Sequence, residues 1–305
     1  MNSSTRPDAL IGPIPSNWTQ TTLGEACALA GGNVQTGPFG SQLHASDYVP
    51  CGVPVVMPQD IGDNRLLTEN IAKINESDAA RLSRHRLRIG DIVYSRRGDV
   101  KRRALVREEN EGWLCGTGCL RVRLGDGPVD PLWTSYYLGH PAVQEWVSQH
   151  AIGATMPNLN TNILSSVPFV LPPSHIQQMV GGFLGALDDK IELNRQMNQT
   201  LEQIAATLFK SWFIDFDPVR AKAERRQPEG MDVETAALFP DRLVESELGA
   251  IPEGWRSATV SEVAGLNTWT LGKNDELDQI EYVDISAVTR SDIGSIQVFA
   301  RGAEP

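Results

Sequence analysis

No run of eighteen apolar residues occurs among the 305 residues of the chain, so no stretch is expected to cross a membrane as a helix. Cysteine is scarce. The four residues, Cys27, Cys51, Cys115 and Cys119, form no C-x-x-C pair, and the five histidines are scattered. That spacing supports neither a zinc site nor a disulfide framework, and reduced thiols in a cytoplasmic protein are expected. Met1 to Trp18 lacks the apolar core of a secretory signal. Net positive charge is also missing. The formal charge is -11, which argues against a uniformly basic nucleic-acid binder. At 41% hydrophobic residues, however, the chain can bury a core, and global disorder is excluded.

Catalytic signatures are missing as well. The stretch Gly272-Lys273-Asn274 has Asn267 where a phosphate loop needs Gly, and Asn274 lacks the hydroxyl that binds magnesium. Leu171-Pro172-Pro173-Ser174 has the prolines of an adenine-methylating loop but neither its amide nor its aromatic residue. Asp188-Asp189-Lys190 resembles a nuclease cluster, but it falls on solvent-facing positions of a helical pattern. No candidate nucleophile has a strand-turn-helix setting. A binding protein without metal or cofactor of its own is the expectation.

The charge is unevenly spread. Residues 81–107 hold ten Lys or Arg against only Asp91 and Asp99, whereas residues 229–305 hold fifteen acids against five bases. The basic island reads equally as an anion-binding patch or as a solvated face. A repeat is also present. Ile11-Gly12-Pro13-Ile14-Pro15-Ser16-Asn17-Trp18 returns as Leu248-Gly249-Ala250-Ile251-Pro252-Glu253-Gly254-Trp255. At the same offset Leu23-Gly24-Glu25 returns as Val260-Ser261-Glu262. A second echo follows in the same order, Val56 to Ile61 resembling Glu281 to Ile285. A duplicated domain with an incomplete second copy follows.

Residues 20–172 read mostly as short strands bounded by Gly, Pro, Asn and Asp, with Arg121 and Arg123 alternating along a half-exposed strand. One helix is expected from about Leu132 to Gln149. Beyond Pro172-Pro173, Ser174 and Gln177 have capping-box spacing. A helix then runs to about Lys210, roughly 55 Å at ~1.5 Å per residue. Val180, Leu184, Leu187, Ile191, Asn194, Asn198, Leu201, Ala205 and Leu208 alternate at spacings of four and three, as in a coiled-coil seam. Such a seam calls for a partner helix, and Gly181, Gly182 and Gly185 suit close approach of another backbone. An ordinary long core helix is the alternative. Residues 217–247 read as a linker with one short helix near Val233 to Leu238.

Several motifs resemble the specificity subunits of type I restriction-modification enzymes. They are Gly37-Pro38-Phe39-Gly40-Ser41-Gln42-Leu43, Gly52 to Ile61, Gly90 to Val100, Gly153 to Leu159, Val170 to Gln178, Leu187 to Asn194 and Trp212 to Val219. The resemblance covers nearly the whole chain. It implies an α+β architecture: a β-rich target-recognition domain at 1–172, a spacer helix at 173–216, a linker at 217–247 and an incomplete second target-recognition domain at 248–305. It implies two such domains and two antiparallel helices that set the spacing of a split double-stranded DNA target. Methyltransferase and restriction/translocase subunits would dock on this frame and use S-adenosylmethionine, ATP and magnesium. The sequence departs from the family by ending at Pro305 without a second helix. It reads as an incomplete sequence, a degraded product, or a half-subunit that pairs with a second copy of itself.

On that reading Arg96, Arg97, Lys101, Arg102 and Arg103 contact DNA, mainly phosphate, while Ser41, Gln42 and Asn158 read bases or simply form turns. Phe39 and Tyr48 are expected to anchor loops in the core rather than to stack on a base. Trp212, Phe213 and Phe216 either dock a methyltransferase subunit or bury at the helix end. The alternatives to DNA recognition are a helical interaction scaffold and a degenerate nuclease or methyltransferase.

Overall fold

The computed structural model describes residues 5–6, 9–153, 157–265, 270, 272, 278–288, 294 and 296–300. It divides into two compact units, Met1–Gln199 and Thr200–Pro305. The architecture is α+β. No helix among the described residues is long and apolar enough to cross a membrane.

In the first unit a five-stranded sheet runs in the order Gly31–Thr36, Cys119–Gly125, Ile92–Ser95, Arg103–Leu105, Asp63–Asn64. All pairings are antiparallel except the last. Ile92, Val93 and Tyr94 suit a pleated surface, and all three are fully buried. Alternation sends Tyr94, Leu120 and Val122 into one core with Ile14, Leu23 and Phe169. Val93, Ala104 and Cys119 enter a second core with Val56, Ile61 and Leu87. Because both faces are covered, Arg121 is buried rather than half-exposed. Its guanidinium donates to Arg84 O and to the side-chain oxygens of Asn33 and Gln35. Arg123 Nε donates to Asp91 at 2.8 Å. The expected alternation is present, but polar positions on a doubly covered sheet need internal partners.

A smaller sheet pairs Tyr48–Val56 with Leu114–Cys115 and Lys73–Ile74, over a third core containing Leu43. Pro168–Leu171 pairs with Thr19–Thr22. The single helix expected between Leu132 and Gln149 is two helices, Pro131–Leu138 and Pro141–His150. Pro141 lacks the N–H that would continue the first helix. It instead opens the second, which His140 caps by accepting from Ala142 N through its imidazole.

The long helix is Ser174–Phe213, 40 residues and roughly 60 Å. Gln177 forms no capping box with Ser174. Its side chain is buried, accepts from Asp130 N at 2.8 Å, and donates to Pro172 O and Pro128 O at 2.7 and 3.0 Å. A Cβ at Gly181 would lie 3.0 Å from Trp133 N, and one at Gly185 3.0 Å from Leu132 Cδ2, whereas Gly182 faces open space. The expected close approach of another backbone therefore holds at Gly181 alone, Gly185 meeting the Leu132 side chain, and both neighbours belong to this unit's own short helix. Asp188 and Asp189 are not merely solvent-facing. Asp188 accepts from the Tyr136 hydroxyl at 2.7 Å, and Asp189 pairs with Arg65 at 2.7 Å and Arg107 at 3.2 Å.

In the second unit, 217–247 is more structured than a linker. It holds helices Asp217–Ala223 and Val233–Ala237, and Leu243–Ser246 pairs with Gly249–Pro252. Val219, Met231, Ala236 and Phe239 form a small core, joined by Trp212 and Phe216. Phe213 stays 40% exposed. The internal repeat is visible in local structure: Thr22 and Glu25 form a capping box for Leu23–Ala28, and Thr259 and Glu262 form one for Val260–Val263.

Candidate nucleic-acid interface

Register determines which loops share an end of the five-stranded sheet. Thr36 lies opposite Leu120, Cys119 opposite Ser95, and Tyr94 opposite Arg103. The loops after Thr36, after Ser95 and before Cys119 therefore emerge together. Residues 157–159 join them. Arg97 and Asn158 form a backbone bridge, Leu159 N donates to Arg96 O at 2.8 Å, and Gly98 N donates to Pro157 O at 3.2 Å. Arg96, Arg97, Lys101, Arg102 and Asn158 are thus gathered on one surface, and the loop carrying Ser41 and Gln42 leaves from the same sheet end. Of the Gly153 to Leu159 motif, residues 154–156 lie outside the described residues.

Within the 96–102 loop, Gly98 takes a left-handed turn (φ +72°) that favours glycine. Asp99 accepts from Lys101 N at 3.2 Å and pairs with Arg102 at 3.3 Å, while Lys101 pairs with Glu145 at 3.3 Å. These pairs are exposed and weak, so both cations can exchange partners. Arg97 is exposed and has no ion pair among the described residues. Arg103 departs from the expected role. Its side chain is 8% exposed, donates to Ser135 O at 2.8 Å, and lies where a Cβ on residue 139 would stand, 1.7 Å from that position. It belongs to the strand and holds the loop's end.

The turn-forming alternative accounts for Gln42. Its Oε1 accepts from Phe39 N at 3.2 Å, its N donates to Phe39 O at 2.8 Å, and Arg81 binds its carbonyl. Ser41 is exposed. Tyr48 packs against the third core. Phe39 does not anchor its loop: Gly37 and Pro38 are buried and Phe39 is 56% exposed. The rest of the basic island is largely occupied internally, with Arg81 on Asp78, Arg86 on Glu76 and Arg107 on Asp189. Arg84 donates to His85, whose burial, helped by the Arg84 charge, lowers its pKa to about 4.

Sequence reasoning missed the ion pairs of Asp189, whose two basic partners, Arg65 and Arg107, lie far from it in the chain. It also missed the six buried side-chain polar atoms without hydrogen-bond partners among the described residues, which include Arg96 Nε and Thr117 Oγ1. Among the described residues no cluster of His, Cys, Asp and Glu could hold a metal ion.

The long helix carries the other candidate surface. Val180 packs against the first core and Leu184 is half-buried, so the domain itself covers the start of the seam. From Leu187 onward the seam is bare. Leu187, Ile191, Leu201 and Leu208 are 42–57% exposed, and Asn194 is exposed among them.

The first unit thus joins a loop-lined sheet end to a helix whose apolar positions Leu187 and Ile191 stay exposed. The chain belongs to the type I restriction modification DNA specificity domain family, whose model matches residues 15–203. It is 35% identical over 197 residues to the type I restriction enzyme HindI specificity subunit of Haemophilus influenzae, covering 64% of this chain and 42% of that protein. It is 24% identical over 261 residues to the MjaIX specificity subunit of Methanocaldococcus jannaschii, covering 79% and 58%. The chain thus spans about half the length of these curated relatives. Among solved structures, the HsdS subunit from Thermoanaerobacter tengcongensis is similar at 21% identity and a TM-score of 0.43, over 60% of this chain and 40% of that one.

Proposed function

We propose that the chain is a DNA sequence recognition subunit of a type I restriction-modification complex, without catalysis of its own. It directs adenine methylation and DNA cleavage by methyltransferase and restriction/translocase subunits in the cytoplasm. Those partners use S-adenosylmethionine, ATP and magnesium, and this chain binds none of them. The observation that carries this reading is the juxtaposition of Arg97, Lys101 and Arg102 with Asn158 at one sheet end, in a chain of this family. The exposed cations hold phosphates and set register, while Asn158 and Ser41 offer donors and acceptors to base edges.

The bare seam from Leu187 to Leu208 pairs with an antiparallel helix of like pattern, so that two recognition domains face the two halves of a bipartite target. The exposed seam also suits pairing with the same helix of a second copy of the chain. Its target would then be an inverted repeat with a fixed spacer. The bare helix also favours a second reading, a scaffold that joins partners without reading DNA. Selection from a random duplex pool with the purified chain separates the two. Enrichment of one sequence supports recognition, and a pool that stays random through the selection leaves the scaffold.

A further inference from the structure

We propose that Phe39 is a specificity-determining residue that sets its ring against the bases of the bound duplex. The inference rests on the DNA-recognition reading above. The ring is 56% exposed although its neighbours Gly37 and Pro38 are buried, so the loop turns outward at the one residue best suited to burial. A single exposed apolar residue is ordinary on a mobile loop. This loop is fastened on both sides of the ring. Gly37 N donates to Cys119 O at 2.9 Å, and a Cβ at Gly37 would stand 2.0 Å from Gly116 O, so the loop's base presses on the 116–118 turn. Beyond the ring, Gln42 holds both the N–H and the carbonyl of Phe39, Arg81 holds Gln42, and Leu43 is buried in the third core. The backbone fixes the exposure.

The position of the ring matters as much. Leu29 and Ile89 are similarly exposed, but they precede Gly31–Thr36 and Ile92–Ser95 and so lie at the opposite end of the sheet. Phe39 lies at the end that carries Arg97, Lys101, Arg102 and Asn158. Two of the six buried side-chain polar atoms without a hydrogen-bond partner among the described residues, Arg96 Nε and Thr117 Oγ1, also belong to loops at this end. A phenyl ring has neither the charge nor the donors to bind phosphate. What it fits on a duplex is a thymine methyl group or the face of an unstacked base. A rigid apolar reader beside cationic phosphate contacts divides the work: the cations supply affinity and the ring supplies discrimination.

The test uses the full 305-residue chain and a duplex it selects from a random pool, with a shuffled duplex of the same composition as reference. Binding of the parent, Phe39→Ala and Phe39→Leu to both duplexes is followed from 50 to 200 mM salt by fluorescence anisotropy. Phe39→Ala is expected to reduce the preference for the selected duplex about tenfold. The salt slope should be unchanged, Phe39→Leu should keep part of the preference, and thermal melting should match the parent. Equal preference in parent and Phe39→Ala overturns the proposal while leaving DNA recognition intact. A flattened salt slope in Phe39→Ala overturns it too, since the residue would then support backbone contacts. If the parent enriches no sequence, the recognition reading fails and this inference fails with it.

Discussion

Arg102 and Arg103 are neighbours in sequence, yet the first is exposed and the second buried, and two variants test the different roles proposed for them. In the first, Arg97, Lys101 and Arg102 are all changed to Ala. Each cation that releases a counterion from a phosphate contributes a slope of about -0.9 in log K against log salt, so losing three flattens the slope by at most about 2.7. Arg97, with no ion pair among the described residues, should supply its full share. Lys101 and Arg102 must leave Glu145 and Asp99, so the expected flattening lies between about 0.9 and 2.7. At the upper bound the variant loses roughly 40-fold less affinity than the parent between 50 and 200 mM salt. The second variant, Arg103→Ala, removes a buried guanidinium and strands the Ser135 carbonyl it serves. Breaking such a buried charged contact costs roughly 2–4 kcal/mol of stability. At temperatures where the protein stays folded, its salt slope should equal the parent's. Anisotropy titrations against KCl give the slopes, and thermal melts give the stability. A triple variant with the parent's slope would reduce the loop to a solvated face. A flattened slope with unchanged melting in Arg103→Ala would refute the buried role.

Four further outcomes are expected. Leu187→Asp with Leu201→Asp should halve the mass seen by light scattering, since charges cannot be buried in an apolar seam; a monomeric parent would refute self-pairing. His85 is 2% exposed with its pKa lowered to about 4 from 6.5, so the unfolded chain binds the extra proton between those values. Its stability contribution is complete above pH 6.5 and falls by roughly 3 kcal/mol as pH drops toward 4, which denaturant midpoints in His85→Gln should show flattened. Gly182→Ala should raise stability by about 1 kcal/mol and Gly181→Ala should not, because only the second Cβ meets backbone, at 3.0 Å from Trp133 N. A thiol reagent at neutral pH should label Cys51 alone in the native chain, because burial raises Cys119 and pushes Cys27 and Cys115 to about 12; fast labelling of a second thiol would contradict the buried cores.

Local pattern reached the strands, the long helix and the repeated capping boxes, because each is set by residues a few positions apart. It did not reach Arg103. Whether a cation after a turn faces solvent or a core depends on the residue at which strand pairing begins, and a shift of one position reverses the answer. The break between the two short helices was written in Pro141, but apolar periodicity across it suggested continuity. Asp188 and Asp189 fell on the polar face of a helical pattern. That pattern cannot show that Tyr136, Arg65 and Arg107 lie alongside. Exposure of Phe39 was illegible for a similar reason, since it follows from contacts of Gly37 with Gly116 and of Gln42 with Arg81, far apart along the chain.

The stretch from Arg96 to Arg102 is held between two buried residues, Ser95 and Arg103, and the second is keyed into the space left by Gly139. A loop seated this way behaves as a cartridge. Its exposed side chains can drift through mutation without disturbing the sheet that presents them, provided length, the two end residues, the Gly98 turn and the core residue Val100 are kept. Selection on what the exposed side chains contact can then act on a short text while the frame stays under separate selection for folding. Loss of either end residue, or of Gly139, would remove that independence.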